Sequence, residues 1–144
     1  MDSDCGATLE TWTGITGTGI ADLMSGTNNL ANPSNRAERL GSLLEAPVNT
    51  DDNYGSRMKG WLMPPVTDDY VFWITTDDTG ELWLSSDDNP ENKVRICFVQ
   101  SAALVMEWNK YPEQKSISIP LEAGEAYYFE VRPSVFMEVL NVHF

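Results

Sequence analysis

The chain has 144 residues, with 22 acidic against 9 basic side chains and a formal net charge of −13. That length carries one domain, residues 1–144, with a real hydrophobic core; two domains would each be too small to stand without staples. A chain this acidic repels phosphate backbones and anionic membrane surfaces, so nucleic acid is not expected as a partner, and no stretch is long and apolar enough to span a bilayer. Acidic clusters do suit divalent cations, which prefer hard oxygen ligands, although an acidic surface also serves solubility.

In chain order, the first ten residues, MDSDCGATLE, hold neither the basic region nor the apolar stretch of a secretory signal. LETWTG then reads as a strand closing at Gly14. Residues 15–35 are rich in Gly, Thr, Asn and Ser and read as a long excursion, with one helical turn at most in IADLM. The run SLLEAP is stopped by Pro47.

SRMKGWLM predicts a half-buried strand, because Arg57 and Lys59 alternate with Met58, Gly60 and Leu62. Pro64 and Pro65 end it. YVFWITT follows, with Tyr70, Phe72 and Ile74 on one face and Val71, Trp73 and Thr75 on the other; two apolar faces place it inside a sandwich. DDTG turns the chain, ELWLSS returns it, DDNPENK turns it again, and VRICFV adds a further strand.

SAALVMEWNKYP holds either a loop or a short helix limited by Pro112. SISIPL alternates at Ile117, Ile119 and Leu121, AYYFEVR at Tyr127, Phe129 and Val131, and MEVLNVHF at Leu140, Val142 and Phe144. About eight or nine short strands with such turns predict an all-β, antiparallel, jelly-roll-like β-sandwich. Cys5 and Cys97 allow either one disulfide or two free thiols, and spacing alone does not choose between them.

Three blocks then follow in order: ETWTGITGTGIADLMS; EAPVNTDDNYGSRMKGWLMPPVTDDYVFWITTDDTGELWLSSDDNPENKV; and EWNKYPEQKSISIPLEAGEAYYFEV. In wording and spacing they resemble the protective-antigen (PA-fourteen) type domain, most specifically from Tyr54 to Leu84. The resemblance implies a β-sandwich of the kind found in bacterial toxins, glycosidases, fungal adhesins and large extracellular proteins. It implies an extracellular or cell-surface setting, and a module that binds glycans without catalysis.

In sugar-binding members of the family, two adjacent aspartates coordinate Ca²⁺ across a cis peptide, and the matching pair here is Asp77 and Asp78. The physical logic is direct. Neighbouring side chains of an extended strand point to opposite faces. A cis bond swings both carboxylates to one side at a cost of several kcal/mol. The ion takes six to eight oxygens, so sugar hydroxyls can fill its open positions. A Trp near the pair would add a stacking platform, and Trp83 and Trp108 are the candidates.

The chain departs from that pattern before its last strand. Calcium-binding members carry a loop with Asp or Asn there, whereas RPSVFMEVLNVHF has no Gly, Asp or Asn between Arg132 and Glu138. Glu138 and Asn141 are the nearest oxygen donors, and Val135, Phe136 and Met137 form an apolar run that either packs inward or meets a protein partner. The competing expectation is therefore a structural or protein-interaction module that has lost the calcium and sugar site. Asp87-Asp88-Asn89 reads as a solvated turn, and Thr50-Asp51-Asp52-Asn53 as a loop, with a second ion site as the alternative. No catalytic motif stands out, and the single histidine, His143, reads as a plain strand residue, so no enzyme is expected.

Overall fold

A computed structural model describes residues 6–13, 33–34, 36–39, 54–76, 79–100, 107–133 and 137–143. The strands are β1 (Gly6–Thr13), β2 (Arg36–Arg39), β3 (Tyr54–Leu62), β4 (Asp68–Thr76), β5 (Gly80–Ser85), β6 (Lys93–Val99), β7 (Ile119–Leu121), β8 (Tyr127–Pro133) and β9 (Met137–His143). Short 3₁₀ turns occupy Pro90–Asn92 and Pro112–Gln114.

The strands form two antiparallel sheets. One has the order β2-β1-β3-β8-β5-β6 and the other β7-β4-β9. Their facing sides carry the alternating apolar positions. Leu9, Met58, Leu82, Leu84, Phe129 and Val131 come from the larger sheet, and Tyr70, Phe72, Ile74 and Leu121 from the smaller. Burying these rows between the layers removes apolar surface from water, and that drives a sandwich together. β4 is the central strand of its sheet, and Val71 and Thr75 on its second face are buried too. Its two apolar faces in the sequence record that position.

The structure adds one strand, moves one strand boundary and resolves part of one ambiguous stretch. β2 carries the sequence RAER and pairs with β1 as a sheet edge, which the apolar pattern did not signal. Charged side chains are suited to an edge strand, because they discourage further pairing. The strand expected from Ile117 begins only at Ile119, and Ile117 is 79% exposed. Ser116 takes its place against β4: its N–H donates to the Phe72 carbonyl at 2.8 Å, and its Oγ accepts from the Phe72 N–H at 2.9 Å. In the ambiguous Ser101–Pro112 stretch, residues 107–110 form turns, and the helical piece is the 3₁₀ turn starting at Pro112. Residues 101–106 lie outside the described set.

Cys97 is a free, buried cysteine among the core side chains. Burial pushes its thiol up to about 12. Cys5, the other cysteine of the chain, lies outside the described residues.

Candidate functional site

Strand register brings two sheet-to-sheet connections together at one end of the sandwich. β4 ends at Thr76 and β5 begins at Gly80, so residues 77–79 connect the smaller sheet to the larger. β8 and β9 make the opposite connection through residues 134–136. Gly80 pairs with Pro133, and Thr76 pairs with Met137. The flanks of the two connections are therefore hydrogen-bonded neighbours.

Gly80 is required there. A Cβ on it would collide with the Thr76 side chain, whose Oγ1 would stand 2.8 Å away, and Thr76 is fully buried. Only glycine admits so close an approach without forcing the two strands apart.

Asp77 and Asp78, the expected metal ligands, lie outside the described residues, as do Val135 and Phe136. The backbone register places Glu138 opposite Thr75, beside the connection. Asn141 stands opposite Phe72, four positions from Thr76, or roughly 13 Å along the strand.

Trp108 sits in a turn tied to β4 at Ile74, two residues before that strand ends. It is half-buried in the turn Glu107–Lys110, which Gln114 ties to β4. Gln114 is completely buried. Its Nε2 donates to the Ile74 carbonyl at 3.0 Å and to the Glu107 carbonyl at 2.8 Å, while its Oε1 accepts the Tyr111 N–H at 2.7 Å. Nothing in the sequence marked this residue, because a glutamine between Pro112 and Lys115 reads as solvated surface.

The opposite end holds a groove of about 970 Å³. Its acidic lining is Asp68, Asp69, Asp87, Asp88, Glu122 and Glu125. Local structure already employs much of this acid. The Asp87 carboxylate accepts from the Asn92 side chain at 2.9 and 3.0 Å, from the Asn89 N–H at 3.0 Å and from the Ser85 hydroxyl at 3.1 Å. The Asn92 and Asn89 hydrogen bonds hold its pKa below the usual carboxylate value. Asn89 in turn caps the 3₁₀ turn by accepting the Glu91 N–H. Asp68 accepts the Asp69 N–H at 2.8 Å. Among the described residues, no three His, Cys, Asp or Glu side chains gather as a metal cluster.

The profile of the PA14 domain matches residues 32–132. The chain belongs to the PA14 domain family.

Human Fibrocystin-L is 35% identical over 96 residues, covering 61% of this chain and 2% of that protein. Mouse N-acetyl-beta-glucosaminyl-glycoprotein 4-beta-N-acetylgalactosaminyltransferase 1 is 34% identical over 83 residues, covering 55% of this chain and 8% of that protein. The PA14 chain thus spans a small part of the curated relatives it matches. Among solved structures, the Epithelial Adhesin 6 A domain of Candida glabrata, in complex with Galβ1-3GlcNAc, superposes with a TM-score of 0.58 at 11% identity, over 96% of this chain and 77% of that one. The beta-glucosidase of Kluyveromyces marxianus, in complex with glucose, superposes at 0.56 and 10% identity, over 96% of this chain and 16% of that one. At these identities the likeness shows the sandwich fold.

The second expected aromatic platform, Trp83, lies elsewhere in the PA14 sandwich. It stands on the outer face of the larger sheet, three residues into β5, paired with Glu130 and Arg95. Its Nε1 donates to Glu81 at 2.9 Å, and the Arg132 guanidinium stacks over its ring at 5.2 Å. It is one rung of a polar ladder across the sheet. Arg57 and Lys59 pair with Glu10 at 2.9 and 3.4 Å, Arg132 with Glu130 at 2.6 Å, and Arg95 with Glu81 at 3.3 Å.

Glu130 is buried at the centre of this ladder and also accepts the Tyr128 hydroxyl at 2.8 Å. Burial alone would raise its pKa, but the Tyr128 hydrogen bond and the Arg132 charge outweigh it, and the carboxyl stays below its usual value. Of the five tryptophans, Trp61 is the most exposed, at 38%. It leans edge-on against Tyr128 and donates to the Asp88 carbonyl at 3.0 Å, so it stands near the acidic groove rather than the Asp77–Asp78 end.

Proposed function

We propose that this PA14 domain is a non-catalytic carbohydrate-binding module of an extracellular or cell-surface protein, and that its glycan site lies at the end carrying Asp77 and Asp78. The observation that supports this reading is the pairing of Thr76 with Met137 and of Gly80 with Pro133. It joins the flanks of two loops that come from opposite sheets, and residues from several loops brought to one edge suit a solvated, hydroxyl-rich ligand. Asp77 and Asp78 would hold Ca²⁺, with Glu138 the nearest carboxylate position in register. Such a donor set is hard oxygen, which is what Ca²⁺ prefers, and the bound ion supplies coordination positions for sugar hydroxyls. The chain's own part is to bring the two aspartates to a short connection tightened by the Gly80–Thr76 contact. The adhesin and glucosidase neighbours, whose structures contain Galβ1-3GlcNAc and glucose, supply the first glycans to screen.

The test is calcium titration by calorimetry on the wild type and on Asp78→Ala, followed by a glycan array with and without calcium. Saturable calcium uptake that disappears in the variant is the expected result. A folded wild type that takes up no calcium and leaves the array blank would sink the reading. It would favour the protein-contact alternative, which Val135 and Phe136 support by putting apolar residues in the second connection; Met137, expected in the same run, is instead the first residue of β9.

A further inference from the structure

The segment from Glu107 to Leu121 lies along β4 as a strap with three kinds of anchor. At its far end, Ile119 and Leu121 pair with Tyr70 and Asp68 as β7. In the middle, Ser116 exchanges hydrogen bonds with the backbone of Phe72, and Lys115 bridges Trp73. At the near end the backbone ladder is replaced by one side chain, that of Gln114.

A completely buried amide has two donor hydrogens and an acceptor oxygen to satisfy. Gln114 spends them on three separate backbone positions. Glu107 and Tyr111 are the two flanks of the turn that carries Trp108, Asn109 and Lys110, and Ile74 is two residues before the end of β4. The Gln114 N–H also returns a bond to the Tyr111 carbonyl at 3.2 Å, which makes the clamp reciprocal on that side. A turn held at both flanks by one rigid amide, and tied by the same amide to β4, has little freedom to reorient. Trp108 is half-buried at its start, and Asn109 and Lys110 are exposed.

We infer that Gln114 is a positioning residue that presents the Trp108-Asn109-Lys110 turn, preformed, as part of the glycan-binding edge beside the exit of β4. This rests on the glycan reading above and adds to it a named recognition loop and the residue that sets it. Preorganisation of this kind raises affinity by lowering the ordering cost of binding.

Two variants test it. Gln114→Glu keeps the acceptor for Tyr111 and removes both donors; Gln114→Leu removes all three bonds. Ser116→Ala is the control, because it deletes another buried tie between the strap and β4 without touching any atom of the 107–111 turn. The first readout is the indole N–H resonance of Trp108, assigned with Trp108→Phe. Both Gln114 variants should shift or broaden it while the Trp61 and Trp83 resonances stay in place, and Ser116→Ala should leave it unmoved.

The second readout is affinity for the best glycan from the array. A loss on the order of tenfold is expected for the Gln114 variants and none for Ser116→Ala. If the wild type binds glycan and the Gln114 variants bind equally well, the inference falls while the glycan reading stands. If the wild type binds no glycan, the recognition role falls with that reading, and the Trp108 resonance still decides whether Gln114 sets the turn. Should neither variant fold, hydrogen exchange on the wild type decides: slow exchange of the Tyr111 N–H and the Gln114 side-chain amide supports the clamp, and fast exchange overturns it.

Discussion

The two ends of the sandwich make opposite use of polar residues. The groove end gathers six acidic side chains, yet Asp87 is occupied by Asn92, Asn89 and Ser85, and Asp68 by its own neighbour's N–H. These are turn-forming bonds, and they hold local backbone in shape. The Asp77–Asp78 end is defined instead by long-range pairing, where β4, β5, β8 and β9 deliver their termini to one place and Gln114 adds the 107–111 turn. Acidic residues are abundant throughout this chain and mark no site by number. Convergence of separate elements is the more selective criterion, because it requires the tertiary fold to hold.

A variant remote from both ends gives the largest expected effect and sets the baseline. Glu130→Ala leaves Arg132 and Tyr128 without their shared acceptor on a buried stretch of β8, and should cost about 2–3 kcal/mol in urea unfolding. The sign of its pH dependence follows from the lowered folded-state pKa: the wild-type carboxylate contributes stability above the ordinary value of 4.5, and that contribution is lost as pH falls through the folded value. The variant should therefore lose less stability than the wild type on acidification. Equal acid slopes would show that Glu130 is not held ionised.

Gly80→Ala comes next. A methyl at that position meets the fully buried Thr76 side chain, and overpacking of this kind costs about 1–3 kcal/mol. The same change should weaken calcium uptake by spreading the ends of β4 and β5, which Glu130→Ala should not do. If calorimetry shows calcium uptake reduced equally in the two variants, the link between the Gly80 contact and the site is broken.

Asp87→Asn has the smallest expected effect. The side chain is exposed, and its loss should loosen the turn at the groove end while leaving calcium and glycan binding at wild-type values. Calcium uptake lost in Asp87→Asn and retained in Asp78→Ala would reverse the comparison of the two ends.

Alternation and punctuation made most of the fold legible. Period-two patterns located β3, β4, β8 and β9, and runs bounded by turns located β5 and β6; β3, β4, β5, β6 and β8 each have an apolar face buried in the core. β2 escaped because an edge strand of charged residues has no such face to announce. Ile117 misled because alternation records what a strand could bury and is silent on where pairing stops; the Ser116 hydrogen bonds to Phe72 decide that.

The candidate site was legible only in part. The Asp77-Asp78 pair stands out in the sequence through its family pattern, and Trp108 was named beside it. Trp83 was named for the same reason, and its indole N–H and ring face are engaged by Glu81 and Arg132 on the outer sheet. Where the Trp108 turn is tied to β4 depends on Gln114, a residue with no local signature. Strand identity and turn position follow from short-range chemistry, which a linear chain displays openly. The neighbourhood of a site follows from register between strands far apart in sequence, and that exists only once the two sheets have closed on one core.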